Sequence, residues 1–422
     1  MKVRTNWFIP LGSLMGLGLG IVMGMLTHTS SSLILLKFIP YAELLAKIWI
    51  VLLLVMAVPL VAIYLFGSIM RLASARLSGK LVLYGLLVHI LLLSACTVLS
   101  IGLSYLITFD LTPDLTGIKT FHLQPGDRTN ILQCMIIGLG RIQTAVAQLI
   151  VPMMLFVVLL SIGVLKFCGI KQPIILFTKA LSEKILSLLT IIFYALPFAV
   201  TCLTFVLVSN SGVSLAGIAG FYVLGVCGIL VATILLQYGV VFAAGGTSVI
   251  SFLRAILPVQ LVAFSTCSSL ACLPALLVSA RKLGISTAAS GVTVPFFVSF
   301  FRINLLVANP FSFFLLSTLY GLPVEIPNLL FFIGLMILTS FGSPGLPQMG
   351  NVYSLPVFLA AGIPVEGVLV LKALDAIPDV FKTILNVTEV GAVTSIISRW
   401  EKQVSLPSYV PDPSRVHSGT NL

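Results

Sequence analysis

The sequence has few charged residues and lacks the usual signatures of a catalytic or metal site. Only 8% of its 422 residues are charged, and only 12 of them are acidic. The seven cysteines form no CxxC pair and the four histidines are scattered, which excludes a disulfide framework and a metal cluster. There is also no phosphate-binding loop and no hydrolase nucleophile motif. The sequence therefore predicts neither an enzyme nor a resident cofactor.

Long apolar stretches dominate the chain instead. Hydrophobic residues make up 59% of it, and the mean hydropathy of +1.18 is far above that of soluble domains. Apolar runs of about 18 residues or more recur along the whole length, which predicts an all-α integral membrane protein. No nucleic-acid partner is expected, because the net charge of +11 fits basic loops at a membrane surface. Six spans are predicted in residues 1–245, at 7–27, 44–72, 81–108, 146–168, 182–209 and 216–245.

The N-terminal stretch is interpreted as the first of these spans. Its apolar part continues for about twenty residues without a small-x-small cleavage site, unlike a signal peptide. Gly16, Gly18, Gly20 and Gly24 within it are predicted to be helix-packing positions rather than part of a nucleotide loop. Residues 109–145 form the one long polar connection, in which 131–145 could begin a broken fourth helix. Residues 405–422 are polar and proline-rich, which predicts a disordered cytoplasmic tail.

Two apolar segments in the C-terminal half are interrupted at their centres. Segment 250–281 is interrupted by the polar run Ser265–Ser269, and segment 326–362 by the Gly- and Pro-rich run Thr339–Asn351. Such breaks are tolerated at membrane depth only where they are buried in protein or line a cavity, and two of them are typical of a transporter's binding site. The alternative is that each segment is an ordinary kinked helix. Full spans are predicted at 286–320 and 365–398.

The distribution of positive charge predicts the orientation. With the N-terminus inside, eight full spans, and both interrupted segments returning to their own side, fifteen of the 23 Lys and Arg residues are cytoplasmic. Five are at or near the outer face. This bias fits the positive-inside rule, so both termini are expected in the cytoplasm.

A polar stripe runs along the last apolar segment, Leu371–Trp400. Asp375, Asp379, Lys382 and Asn386 follow one another at steps of four, three and four residues, so a continuous helix would place them on one face. Charges at bilayer depth are costly and are kept inside a bundle or facing a water-filled cavity. The stripe predicts the wall of a substrate or ion pathway. The alternative is a structural Asp–Lys pair.

These motifs resemble those of the dicarboxylate/amino acid:cation symporter family, the glutamate-transporter homologues. The resemblance extends over nearly the whole chain and is strongest from Arg254 onward. The serine-rich break at Thr266–Pro274 is similar to the tip of that family's first hairpin, and Gly342–Pro347 to the tip of its second. The last helix matches at seven positions, Asp375, Asp379, Lys382, Thr383, Asn386, Val387 and Thr388.

The resemblance implies an all-α, inverted-repeat elevator transporter with eight transmembrane helices and two re-entrant helical hairpins. It also implies a homotrimer, in which helices 1, 2, 4 and 5 form the scaffold. Helices 3 and 6 would belong to the moving transport unit. The core of that unit would be residues 246–404, with hairpin 1 at 250–281, helix 7 at 286–320, hairpin 2 at 326–362 and helix 8 at 365–398.

The family's substrate-binding roles carry over to matching positions here. Ser269, nearby backbone amides and Asn386 would hold a substrate carboxylate, and Asp379 would receive a substrate ammonium group. Lys382 stands where many relatives have an arginine. It keeps the positive charge but lacks the paired N–H donors with which a guanidinium group binds both oxygens of a carboxylate. The implied substrate-binding residues are Ser268, Ser269, Gly342, Ser343, Pro344, Gly345, Asp379, Lys382, Thr383, Asn386 and Arg302.

Several positions depart from the family's sodium-binding pattern. The family's Asn-Met-Asp-Gly-Thr motif is replaced by Phe301–Leu305, and a second acidic ligand is replaced by Val390. A sodium site built mostly from backbone carbonyls around Ser299 and Ser340 could persist. Arg302 is expected to take over part of the electrostatic role of sodium, pairing with Asp375, Asp379 or the substrate, and Glu389 to bind a proton. The candidate ion-coupling residues are Asp375, Asn386, Glu389, Ser299 and Ser340.

The sequence as a whole predicts a secondary active transporter in a bacterial cytoplasmic membrane. Its expected substrate is a small carboxylate-bearing solute, either an amino acid such as glutamate or aspartate, or a dicarboxylate. The coupling ion is expected to be Na⁺ or H⁺. The alternative is an uncoupled exchanger or an anion channel on the same fold.

Overall fold

The chain folds into α-helices throughout the residues that its computed structural model describes, which are 8–30, 33–74, 80–109, 131–167, 172–211, 214–245, 247–285, 287–300, 302–341, 343 and 349–404. The first seven helices are α1 (Phe8–Ser30), α2 (Leu33–Ser74), α3 (Lys80–Phe109), α4 (Ile131–Phe167), α5 (Gln172–Tyr194), α6 (Leu196–Ser211) and α7 (Ser214–Gly245). The remaining eight are α8 (Val249–Thr266), α9 (Leu273–Lys282), α10 (Thr287–Phe300), α11 (Ile303–Leu319), α12 (Ile326–Ser340), α13 (Met349–Ala360), α14 (Val365–Ala373) and α15 (Ala376–Val404). Seven stretches of the described residues are long and apolar enough to cross a bilayer, so this is a multi-pass membrane protein.

Four predicted segments differ from the observed helices. The span at 182–209 is divided between α5 and α6 at Ala195, where Pro197 lacks an N–H for a continuous helix. The span at 286–320 is divided between α10 and α11, and the span at 365–398 between α14 and α15. Residues 131–145, in contrast, belong to one unbroken helix, α4. Three predicted spans, at 182–209, 286–320 and 365–398, are thus each divided into two helices, although Thr293–Leu319 is still an apolar stretch long enough to cross a membrane.

Both interrupted segments contain two helices that pack against each other. Helices α8 and α9 are joined by a short turn in which Cys267 has a φ of 48°, and α12 packs against α13. The turn at Cys267 closes when its N–H donates to the carbonyl of Ala263 at 2.9 Å. These segments are therefore helical hairpins rather than kinked single helices. Tip residues 342 and 344–348 of the second hairpin are outside the described residues.

Helix α15 lies at the centre of the C-terminal half. It packs against α3, α7, α8, α10 and α11, and 83% of its apolar span is buried. Helix α4, by contrast, is only 19% buried over its span. Because α15 carries the polar stripe, its charged side chains are held inside protein rather than facing lipid.

The glycines of the first span form the contact between α1 and α6. A Cβ atom added at Gly16 would lie 2.4 Å from the carbonyl oxygen of Pro197, and one at Gly20 would lie 2.7 Å from that of Thr201. Such distances allow no side chain, so the two backbones approach closely only because these positions are glycine. The prediction that they are packing positions is confirmed for Gly16, Gly20 and Gly24, and it is wrong for Gly18, where an added Cβ atom would meet nothing within 4 Å.

Candidate functional site

The tip of the first hairpin is a compact polar turn. Ser268 and Ser269 are both buried, and the Ser268 hydroxyl oxygen accepts a hydrogen bond from the N–H of Ala271 at 3.4 Å. The carbonyl of Ser269 accepts from the N–H of Cys272 at 3.3 Å. The predicted serine-rich tip is therefore a turn held by its own hydrogen bonds.

Arg302 lies at the break between α10 and α11. It is the N-cap residue of α11, with extended backbone, and only 4% of it is exposed. Its Nε donates a hydrogen bond to the carbonyl of Ser343 on the second hairpin at 3.1 Å. Its Nη2 has no hydrogen-bond partner among the described residues. A buried guanidinium group next to the positive end of a helix is an environment that attracts an anion.

The expected pairing of Arg302 with Asp375 or Asp379 is not seen. The ion pairs between described residues do not include Arg302, and Glu389 is the carboxylate whose charge acts most strongly on it. Arg302 is instead tied to the second hairpin through a backbone carbonyl. The prediction missed this because a main-chain acceptor leaves no trace in the sequence.

Asp375 is surrounded by three donors from different helices. It lies in the turn between α14 and α15, fully buried, and forms an ion pair with Lys382. Lys372 Nζ is 4.0 Å from its Oδ2, and the hydroxyl of Tyr222 donates to its Oδ1 at 3.0 Å. Lys372 also donates to Asn309 Oδ1 at 2.8 Å. Lys382 is thus held by Asp375, and a substrate carboxylate would have to compete with Asp375 for it.

Asp379, Thr383 and Asn386 follow on α15 and are all buried. The Thr383 hydroxyl donates to the carbonyl of Asp379 at 2.9 Å. Asn386 Oδ1 accepts a hydrogen bond from the backbone N–H of Asn304 at 3.1 Å. This bond satisfies one of the free N–H groups at the start of α11, which is how the helix break is stabilised inside the protein.

Glu389 contacts a histidine that the sequence prediction did not single out. His89 Nδ1 on α3 lies 2.7 Å from Glu389 Oε1, with 1% and 2% of the two side chains exposed. The His89 ring stacks on Phe297, with 5.7 Å between ring centroids. The available signal was the presence of a lone ionisable residue within an apolar span, which is itself an indication of function.

The remaining predicted residues are only partly described. Ser340 is buried, and its hydroxyl donates to the carbonyl of Ile337 at 2.7 Å. Ser299 lies in α10, but its side chain is outside the described part of the chain. The same applies to Gly342, Pro344 and Gly345.

The charges of this region balance. Three buried cations, Arg302, Lys372 and Lys382, are matched by three buried carboxylates, Asp375, Asp379 and Glu389. Because uncompensated charges at membrane depth are costly, an added anion here requires an added cation.

Comparison with known proteins shows which family the chain belongs to. Residues 9–400 match the model of the sodium:dicarboxylate symporter family. The chain is 21% identical to a proton/sodium-glutamate symport protein of Bacillus subtilis (strain 168), over 94% of each chain. It is 26% identical to a proton/glutamate-aspartate symporter of Escherichia coli (strain K12), over 59% of this chain and 57% of the relative. It is also 26% identical to a C4-dicarboxylate transport protein of Citrifermentans bemidjiense, over 38% and 37%. With a match over nearly its full length, the chain belongs to the sodium:dicarboxylate symporter family, a family of transporters and not of enzymes.

Proposed function

We propose that this protein is a symporter that carries a small carboxylate-bearing solute across a bacterial inner membrane. The solute is an amino acid such as glutamate or aspartate, or a C4 dicarboxylate. The relatives support both classes, since their names include glutamate symporters and C4-dicarboxylate transporters. The protein works as a homotrimer by an elevator movement, with both termini in the cytoplasm.

Arg302 is the observation that supports this proposal best. Its buried guanidinium group has one nitrogen without a partner among the described residues, and it lies beside the N-terminus of α11 and the second hairpin. A carboxylate binds such a group with two parallel hydrogen bonds. Ser269 and Asn386 complete the carboxylate site, Asp379 receives an ammonium group, and substrate binding closes the second hairpin.

Uptake of labelled solutes into proteoliposomes tests the proposal. The purified protein is expected to take up at least one of L-glutamate, L-aspartate and succinate against its gradient when a cation gradient is imposed. Arg302→Met is expected to weaken binding of that solute by about 30-fold or more, since loss of a buried charge partner costs about 2–5 kcal/mol.

Arg254→Met is the matched control. Arg254 lies on the exposed side of α8, so its replacement is expected to leave uptake unchanged. Equal weakening by both replacements would contradict a role of Arg302 in binding. Unitary currents without concentrative uptake would identify an anion channel instead.

A further inference from the structure

His89 and Glu389 form a buried pair of ionisable side chains, and Glu389 follows Asn386 by one turn of α15. The two side chains come from α3 and α15, are 2.7 Å apart, and are both almost fully buried. The pair is covered by Phe297 of α10, whose ring stacks on the imidazole. A proton added to this pair would therefore be held inside the protein.

Arg302 is a buried positive charge close to the pair along the chain contacts. It lies two residues before Asn304, whose N–H donates to Asn386 Oδ1 at 3.1 Å, and Asn386 precedes Glu389 by one turn of α15. Helices α10 and α11 contain no titratable residue, and α3 adds Cys96, on which the charge of Glu389 also acts. Other titratable or charged side chains that the structure describes on the helices packed against α15 lie elsewhere on those helices. Tyr238 donates to Gln260, and Tyr222 donates to Asp375. The rest are Cys227 on α7, Tyr84 and Tyr105 on α3, Cys267 and Cys272 at the first hairpin tip, and the exposed Arg254, Arg281 and Lys282.

Two charge states of the pair fit this environment. A neutral imidazole beside an ionised Glu389 carries one negative charge, which Arg302 balances. With one added proton, held on an imidazole nitrogen or a carboxylate oxygen, the pair is neutral overall. Both members of the pair can take up a proton, the imidazole on a ring nitrogen and the carboxylate on an oxygen.

Substrate binding changes which state is favoured. A carboxylate bound to Arg302 takes up the positive charge that otherwise balances Glu389. The pair is then left with an uncompensated negative charge inside the protein, which is costly until a proton is added.

We propose that the His89–Glu389 pair is the proton-binding site that couples carboxylate transport to protons. One proton from the side of substrate entry adds to the pair when the carboxylate binds, and it is released on the other side with the substrate; no other bond forms or breaks. Because coupling between two binding sites is reciprocal, protonation strengthens carboxylate binding as much as the carboxylate favours protonation. This inference rests on the proposed transport function, and it assigns the coupling ion.

Binding and uptake of L-glutamate and succinate at two pH values test the inference. The wild-type protein is expected to bind its transported probe at least about 5-fold more tightly at about pH 5 than at about pH 8, and to acidify the vesicle lumen during uptake. Glu389→Gln and His89→Gln are each expected to abolish this pH dependence. Tyr238→Phe, a neighbouring change outside the pair, is the control that keeps it.

Infrared difference spectra of the purified protein between the same pH values detect protonation of the pair without any substrate. A pH-dependent carboxyl or imidazole signal that Glu389→Gln removes, and whose midpoint His89→Gln shifts, supports the inference even when a variant transports poorly. Uptake without lumen acidification, or wild-type pH dependence in Glu389→Gln, overturns it while leaving the transport function intact. If neither probe binds or moves, the transport proposal for those solutes fails, and absence of the infrared signal then overturns this inference separately.

Discussion

Asp375 shows how single residues stabilise the charged region. It is fully buried and contacts two lysines and one tyrosine hydroxyl, and each of these three donors lies on a different helix. Breaking a buried ion pair by removing one partner is strongly destabilising, because the other partner is left as an unpaired charge.

Replacement of Asp375 by asparagine is therefore expected to lower the free energy of unfolding by about 3–5 kcal/mol, measured by thermal or chemical denaturation in detergent. The double variant Asp375→Asn/Lys382→Met is expected to recover part of this loss, because it removes one of the stranded cations. A single variant as stable as the wild type would show that the lysines find other partners.

Tyr222 offers a finer change in the same network. Tyr222→Phe removes only the hydroxyl that donates to Asp375 at 3.0 Å, so the expected loss of stability is about 1.5–3 kcal/mol, as for a hydrogen bond to a charged group. Tyr238→Phe is the matched control, because its hydroxyl donates to the neutral Gln260 at 3.2 Å, and its expected loss is about 1 kcal/mol. The comparison of the two melting curves checks the prediction, and equal losses would contradict it.

The sequence predicts the members of this region better than their partners. The polar stripe and the isolated Arg302 are visible because charges are rare in this chain and costly in a membrane. The contacts of Asp375 with Tyr222, and of His89 with Glu389, join residues far apart in the sequence. Such pairings depend on how helices pack, and no local pattern specifies them.

At the level of helices, the contact of α1 with α6 depends on glycine. Gly20 leaves no room for a side chain against Thr201 and Thr204, whereas a Cβ atom at Gly18 would meet nothing within 4 Å. The two glycines are on different faces of the same helix, so they provide a test and its control.

Gly20→Leu is expected to destabilise the protein by about 1–3 kcal/mol through overpacking, or by more if α1 separates from α6. Gly18→Leu is expected to change stability by less than about 0.5 kcal/mol. The measurement is the midpoint of thermal unfolding in detergent. Similar midpoints for both variants would argue against the close helix contact.

The helix breaks were the part of the fold that local patterns predicted least well. The hairpin breaks were predicted because Ser, Gly and Pro cluster there, and Pro197 marks the break between α5 and α6. The break before Arg302 has no such cluster. It persists because Asn386, on another helix, accepts the hydrogen bond of a free N–H group, so its cause is tertiary.

At the level of the whole molecule, the two halves of the chain differ in how much surface they leave uncovered. Helix α15 is mostly enclosed, whereas α4 leaves most of its apolar surface uncovered within one chain. Lipid covers such a surface, and so does a neighbouring subunit in the proposed homotrimer.

Native mass spectrometry of the protein in mild detergent is expected to detect three copies. Replacing several exposed apolar residues of α4 by polar ones, with Leu155 and Leu159 as the first choices, is expected to shift the mass toward single chains. The same replacements on the exposed face of α8, at Leu257 and Leu261, are the control. A wild-type protein that is monomeric at all concentrations would contradict the trimer.

The hydrogen bond from Arg302 to the second hairpin has an evolutionary consequence. Its acceptor is the main-chain carbonyl of residue 343, a group that every amino acid provides. The bond therefore does not depend on which side chain residue 343 carries. Position 302, in contrast, must provide a long side chain with an N–H donor, so few amino acids can replace the arginine there. Substitutions that change solute preference are therefore expected at position 343 of the second hairpin rather than at Arg302.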